Sequence, residues 1–377
     1  MSVLANPRLI GELEKYGAEH VVKCYHCGNC SATCPFSEEP FLFPRKSMRF
    51  LQMGLEEKLK GTLEPWLCYY CGECSEQCPR EAEPGETMMS MRRWLIGQYD
   101  LTGLARIFSR SPVAEIAFVT VIALLTCVGF LAWGYSHGRL LSDYQGFIPA
   151  ADMHAFDLVL GLVFVCLVAV NALHMWKLTM GDARGPVAGP GLYIKHFLLL
   201  PWHFFTQRRY GQCSTKTPWI LHLYLALSYV TMLVLIAFFL HEMQAEKFHW
   251  PVHVPGYLAT IGLLAGTAYA LTGRLRKRRT AQKLTHSTDW VFLVMLAYIA
   301  ATGIAQHILH RAGFHEAANL TYMLHMMGVV PWMVRFPFSK WAHMVYRPLA
   351  MYFTRIQVEA MQERAVVKEA AAIRPTA

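Results

Sequence analysis

Eight of the eleven cysteines lie between positions 24 and 78, in two copies of one pattern. The first reads Cys24-Tyr-His-Cys27-Gly-Asn-Cys30-Ser-Ala-Thr-Cys34-Pro35, and the second Cys68-Tyr-Tyr-Cys71-Gly-Glu-Cys74-Ser-Glu-Gln-Cys78-Pro79. Three closely spaced thiolates wrap three irons of one cubane, while the fourth cysteine, just before proline, points away to the other cluster. The spacing therefore predicts two 4Fe–4S clusters. One uses Cys24, Cys27, Cys30 and Cys78; the other uses Cys68, Cys71, Cys74 and Cys34. A single C-x2-C pair would also suit zinc, but two complete four-cysteine-proline motifs argue for iron and sulfur. His26 and Tyr69 sit inside the motifs, where packing against a cluster is the ordinary role. Cys127 and Cys166 read as small buried hydrophobes, and Cys213 receives no role.

A second chemistry is carried by histidine, which is costly in hydrocarbon and usually functional there. His325 and His343 lie in one apolar stretch. On an unbroken helix, the 18 steps between them, at about 100° each, return to the same face, and a rise of about 1.5 Å per residue separates the two rings by about 27 Å. That spacing suits two stacked haems, one per leaflet. A second ligand must come from an antiparallel helix. The stretch bounded by His222 and His241 offers one pairing at each end, His222 with His343 and His241 with His325. His154 and His174, and His307 and His310, are further candidates on other stretches. A solitary membrane histidine more commonly bonds helix to helix, and that reading is kept for His154, His174 and His310.

Helices must position these residues. The chain is 54% hydrophobic and only 16% charged. Six apolar stretches, near 114–134, 154–176, 219–240, 255–273, 288–309 and 320–346, reach the roughly 17–25 residues that a membrane crossing needs. The sixth contains Pro331 and Pro337, so a kink is expected there. Arg335, midway along it, is expected to face the bundle interior, near a haem propionate or a polar cavity. Loops 135–153, 241–254 and 310–319 each carry one basic residue: Arg139, Lys247 and Arg311. Segment 177–218 carries Lys177, Arg184, Lys195, Arg208, Arg209 and Lys216, and loop 274–287 carries Arg274, Arg276, Lys277, Arg278, Arg279 and Lys283. This alternation places both termini in the cytoplasm of a multi-pass inner-membrane protein. Segment 190–212 reads as interfacial.

Residues 1–100 have a net charge of −3, and residues 101–377 of +12. The basic excess sits in loops between apolar runs, so it marks membrane topology and not a nucleic-acid surface. No cleavable leader precedes the cysteines, which points to a reducing compartment. The expected architecture is all-α. Residues 1–100 form a small helical two-cluster ferredoxin-like domain, 101–113 a linker, 114–346 a six-span cytochrome b bundle and 347–377 a cytoplasmic tail. From 356 onward the tail is polar and Ala-rich.

Residues 1–100 resemble the ferredoxin subunit of heterodisulfide reductase. Residues 113–346 resemble its cytochrome b subunit and the gamma subunit of respiratory nitrate reductase. That likeness rests on Arg335-Phe-Pro-Phe-Ser-Lys-Trp-Ala-His343, with His325 upstream in the same stretch. The fusion of both halves is similar to the family of the C subunit of the quinone-interacting membrane-bound oxidoreductase, Qmo. The resemblance implies an inner haem b on His222 and His343. In the nitrate reductase relatives the second ligand on the earlier helix follows ten residues after the first, where this chain has Met232. For an outer haem, His241 is then the first choice beside His325, and His307 the second. One haem or two remain open.

The implied function is electron exchange between menaquinone and a cytoplasmic flavin and iron–sulfur module. In the Qmo family that module is two flavoprotein subunits serving adenylylsulfate reductase, in dissimilatory sulfur metabolism. Two alternatives stand beside it. One is a heterodisulfide-reductase-like membrane anchor with another electron partner; the other is a haem-free membrane protein that senses redox state.

Overall fold

Long apolar runs in this chain fold as helices because in hydrocarbon every backbone N–H and C=O must be paired within the segment. The computed structural model describes residues 4–143, 146–181, 188–245 and 247–373. Arg184, one of the basic residues of the 177–218 segment, lies outside them. The described residues are helical and contain no β-strand. Five helices are long and apolar enough to cross a membrane: Pro112–Ser136, Ala150–Met180, Thr217–Gln244, Trp250–Arg276 and Ser287–Arg311. The first begins with Pro112 behind Ser111, whose hydroxyl accepts from Ala114 N (3.2 Å), a standard N-terminal cap. Its Val121, Leu124, Leu125 and Val128, and Leu158, Leu162 and Val165 of the second, are exposed. Such broad apolar faces belong against lipid.

The sixth expected span differs. Helix His315–Arg335 stops, two 3₁₀ turns follow at Phe336–Phe338 and Lys340–Ala342, and a new helix runs His343–Ile373. Pro337 lacks the N–H that would continue the ladder, and Ser339 is extended (φ −126°, ψ −174°). His325 and His343 therefore stand on different helices. The shared face and the ring separation expected from the sequence both assumed one continuous helix, so neither applies.

Arg335, at that break, is fully buried against Glu115 of the first span, also fully buried. Its Nε donates to Glu115 Oε1 (2.7 Å), Nη2 donates to the same oxygen, and Nη1 lies 3.9 Å from Met295 Sδ. The arginine faces the interior as expected, but its partner is a carboxylate of the chain itself.

The N-terminal domain packs short helices around Trp66, Trp94 and Tyr99. Its long helix, Pro84–Tyr99, leads through Leu104–Arg110 into the first span. Asp100 organises that passage: Oδ1 accepts from Thr102 N (2.8 Å), and Oδ2 from Ala105 N (2.9 Å). The helix His343–Ile373 runs across the division expected at 346/347. Ala350, Phe353, Ile356 and Ala360 share one core with Trp66 and Tyr99. Gln357 also donates to Thr179 O (2.9 Å). The stretch expected to be a polar tail is thus buried as far as Ala360.

Removing one partner of a buried ion pair leaves the other charge uncompensated, at a cost of roughly 3–5 kcal/mol. Glu115→Ala is expected to lower thermal stability in detergent by that order. Glu115→Leu combined with Arg335→Met is expected to recover most of it. Equal stability of the single variant and the parent would show that the pair does not join these helices.

Candidate redox-cofactor site

The two cysteine motifs fold alike. Gly28 (φ 92°) and Gly72 (φ 95°) occupy matching left-handed positions, as do His26 (φ 58°) and Tyr70 (φ 54°). The turn aims His26 N–H at Cys24 Sγ (3.4 Å) and Tyr70 N–H at Cys68 Sγ (3.3 Å). Ala82 N–H points at Cys78 Sγ (3.4 Å). Donors directed at sulfur stabilise the charge of a cluster.

The thiols divide into two groups. Burial pushes the Cys30 thiol up to about 11, reinforced by Cys24, Cys78 and Cys27. Burial likewise raises Cys24, whose thiol neighbours are Cys78 and Cys27. Burial pushes Cys34 up to about 12, with Cys68 and Cys71 adding to it. Cys74 is raised by burial and then by Cys68, Cys71 and Cys34, with Cys30 after them. The fourth cysteine of each motif thus keeps company with the other motif. A ligating sulfur must be deprotonated, so loading a cluster onto these thiols releases protons. Among the described residues no three His, Cys, Asp or Glu side chains converge as one metal ion requires. A cubane makes a different demand, since its thiolates bind different irons.

His222 opens the third span and His343 opens the last helix. The structure brings them together with ring centroids 6.2 Å apart. With metal–imidazole bonds of about 2 Å, a metal between two such rings sets their centroids about 6 Å apart. Each ring is held by its other nitrogen. His343 Nδ1 donates to the Lys340 carbonyl, and His222 Nδ1 donates to Gln207 Oε1 (2.7 Å). Both Nε2 atoms are thereby presented to a ligand, the arrangement that orients ligating histidines. Cavities of about 280 and 90 Å³ flank the pair. They share His222, Leu225, Phe292, His343 and Arg347 in their walls. Arg274 Nε and Arg347 Nη2 border the larger cavity, buried and without a hydrogen-bond partner. Facing imidazoles, apolar walls and two arginine N–H groups without acceptors fit a bis-histidine haem with its carboxylates.

The outer pair is not formed among the described residues. His325 Nδ1 bonds Thr302 Oγ1 (3.1 Å), and its ring lies where a Cβ on Gly303 would meet it. His241 is exposed, beyond a break in helical geometry at Phe239 (φ −131°, ψ 24°). His307 Nε2 bonds Tyr257 Oη (2.8 Å), and its ring stands 5.4 Å from His253. The set His222, His343, His325 and His241 thus yields one facing pair. His174 Nδ1 contacts Tyr99 O (3.0 Å), a helix-to-domain tie, and His310 packs on His315.

Several contributors carry no mark in the sequence. Gln207, Tyr210 and Cys213 come from the 177–218 segment and reach the site only through tertiary packing. Arg347 is one helical turn after His343, and that spacing could have identified it.

Comparison with known proteins bears on the N-terminal part. A family model described as a 4Fe-4S dicluster domain matches residues 20–82. A protein of Archaeoglobus profundus, named for its likeness to the C subunit of heterodisulfide reductase, is 35% identical over 94 residues, which is 25% of this chain and 50% of that protein. The chain thus spans about half the length of that relative. No solved structure matches. Residues 20–82 thus form a ferredoxin-like 4Fe–4S dicluster domain, and the match supports an electron-transfer role for that part of the chain.

The grouping of the thiols makes ligation testable. Cys34→Ser is expected to damage the cluster of Cys68, Cys71 and Cys74 and to spare that of Cys24, Cys27 and Cys30. Electron paramagnetic resonance of the reduced variant reads this out. Loss of the near cluster with the far one intact would reverse the assignment.

Proposed function

We propose that the chain is the membrane subunit of a respiratory oxidoreductase complex that passes electrons between menaquinone and a cytoplasmic flavin and iron–sulfur module. The facing pair His222 and His343, each with its Nδ1 tied and its Nε2 presented, is the observation that carries this reading. A b-type haem held there supplies one-electron chemistry between the clusters and the bilayer. Cys24, Cys27, Cys30 and Cys78 hold one 4Fe–4S cluster, and Cys68, Cys71, Cys74 and Cys34 the other. Gln207 and the Lys340 carbonyl fix the imidazoles; Arg274 and Arg347 receive carboxylates. His325 and His241, or His307, are the remaining candidates for a second haem.

The sequence resemblance to the Qmo family supports two flavoprotein partners and a link to adenylylsulfate reductase. It also supports sulfur metabolism as the setting, while the alternation of basic loops supports an inner-membrane location with both termini cytoplasmic. A second reading is favoured by the named relative: a heterodisulfide-reductase-like anchor whose soluble electron partner differs. Co-purification of partner subunits separates the two.

A reduced-minus-oxidised spectrum of the purified protein is the first test, and a haem b band is expected. His343→Ala or His222→Ala should remove the haem nearest the clusters and uncouple them from quinol, whereas His325→Ala should spare that haem. Gln207→Leu is expected to weaken haem retention by roughly 10–100-fold, the usual cost of losing a group that orients a ligand. Full haem content and quinol-linked cluster reduction in His343→Ala would end this reading.

A further inference from the structure

Between the cysteine motifs and the histidine pair lies a segment of which only Gln207 has so far been given a role. Residues 207–214, in the loop before the third span, touch both. Gln207 bonds His222. The Tyr210 ring stacks on Tyr69 at 5.1 Å with planes 21° apart, and stands 5.8 Å from the His222 ring. Cys213 is 2% exposed and stands with Cys71 in the wall of the larger cavity. Ser214 N donates to Glu73 Oε1 (2.9 Å). The next cytoplasmic loop closes the other side: Thr280 Oγ1 bonds Glu76 (2.7 Å), and Thr280 Cβ would lie 3.3 Å from a Cβ on Gly72.

The first motif is bound differently. Its contacts come from Arg45, Gln52, Gln77 and Arg80, all within the N-terminal hundred residues. Cys27 is exposed, as is Tyr25 at 71%.

We propose that the cluster of the second motif is the one that exchanges electrons with the His222–His343 site, and that segment 207–214 is its coupling element, leaving the first motif's cluster as the outer of the two. This rests on the haem reading given above. Aromatic rings run from Tyr69, next to the ligand Cys68, through Tyr210 to His222, with successive centroids 5.1 and 5.8 Å apart. The charge environment agrees. A donor on a cluster sulfur favours the reduced, more negative state, and the buried Cys213 thiol is placed beside Cys71 to act as one. Arg347 lies 3.9 Å over the Tyr69 ring, and Arg92 Nη2 donates to the Cys68 carbonyl. One electron moves in each step. One centre is oxidised as the other is reduced, and no bond or proton is exchanged.

The test uses the full-length protein with its cofactors. Cys24→Ser and Cys68→Ser assign the two cluster signals. Oxidised haem is paramagnetic, so it should speed the spin relaxation of the second motif's cluster, and His343→Ala should abolish the effect. Cys213→Ala should shift the midpoint potential of that cluster alone to lower values, and Cys213→Ser should fall between it and the parent. If Cys213→Ala loses the cluster, Cys213→Ser carries the potential measurement. Haem-dependent relaxation of the first motif's cluster instead would overturn the proposal. So would unchanged potentials in Cys213→Ala, or loss of the cluster in both Cys213 variants. Absence of haem from the parent protein would sink the underlying reading as well, which separates the two failures.

Discussion

Three buried charges and one half-buried lysine, at the meeting of the iron–sulfur domain and the membrane helices, hold the site in register. Arg93 Nη1 lies 2.9 Å from Glu86 Oε1, Arg93 Nη2 3.7 Å from Asp289 Oδ2, and Lys340 Nζ 2.7 Å from Asp289 Oδ1. The signs alternate, so the chain of charges is neutral. Each ion costs several kcal/mol to bury, and mutual attraction roughly offsets this only with good geometry and satisfied hydrogen bonds. Such a network adds little net stability, and what it fixes is position. Glu86 accepts from Tyr70 Oη, within the second cysteine motif. Arg93 Nη1 also donates to Tyr16 O (2.6 Å). Lys340 serves twice: its side chain holds Asp289, while its carbonyl holds the His343 ring. One residue therefore links the fifth span, the iron–sulfur domain and the orientation of the His343 imidazole.

The break after Arg335 follows from the same constraint. A continuous sixth helix would carry Lys340 and His343 onward along one axis. The 3₁₀ turns at Phe336–Phe338 and Lys340–Ala342 instead fold the chain beneath the bundle. There Lys340 meets Asp289, and His343 opens a helix that packs beneath the iron–sulfur domain. Phe336 and Trp341 stack at 5.7 Å across this turn, with Trp332 4.7 Å from Trp341.

What could be read from sequence divides along physical lines. The cysteine spacing was legible because the ligands lie close along the chain, and the family match at 20–82 agrees with it. Helical architecture was legible because apolar length and loop charge are local properties. His222 and His343 were found together because antiparallel connectivity alone brings two helix ends to one side. The outer pairing was not supported, since it extrapolated helical phase from one end of a span to the other. Pro337 interrupts one of those helices, and the distorted turn at Phe239 interrupts the other. Gln207, Tyr210 and Cys213 were invisible for another reason. Their roles depend on where a loop between spans lands, and no local pattern encodes that. The C-terminal helix was misjudged because its polar positions dominate the composition, while the apolar stripe of Ala350, Phe353, Ile356 and Ala360 finds its partner in the iron–sulfur domain.

Electron exchange over protein distances rewards a fixed separation between centres, and this junction is built to fix one. The connection at 101–113 is itself helical over Leu104–Arg110, with Ala105 and Phe108 buried. His174 ties the second span to Tyr99, and Gln357 ties the C-terminal helix to Thr179. Tyr346 packs against both Trp66 and Tyr99, at 5.2 Å from each. A protein that reports redox state by moving a domain needs a contact cheap enough to open. Opening this one would expose the Trp66, Tyr99 and Tyr346 cluster to water and strip Asp289 of Arg93. Buried aromatic area and an uncompensated charge both oppose that. The joint therefore favours transmission between fixed centres over signalling by separation, and the interlocked core makes the iron–sulfur domain part of the membrane protein's structure.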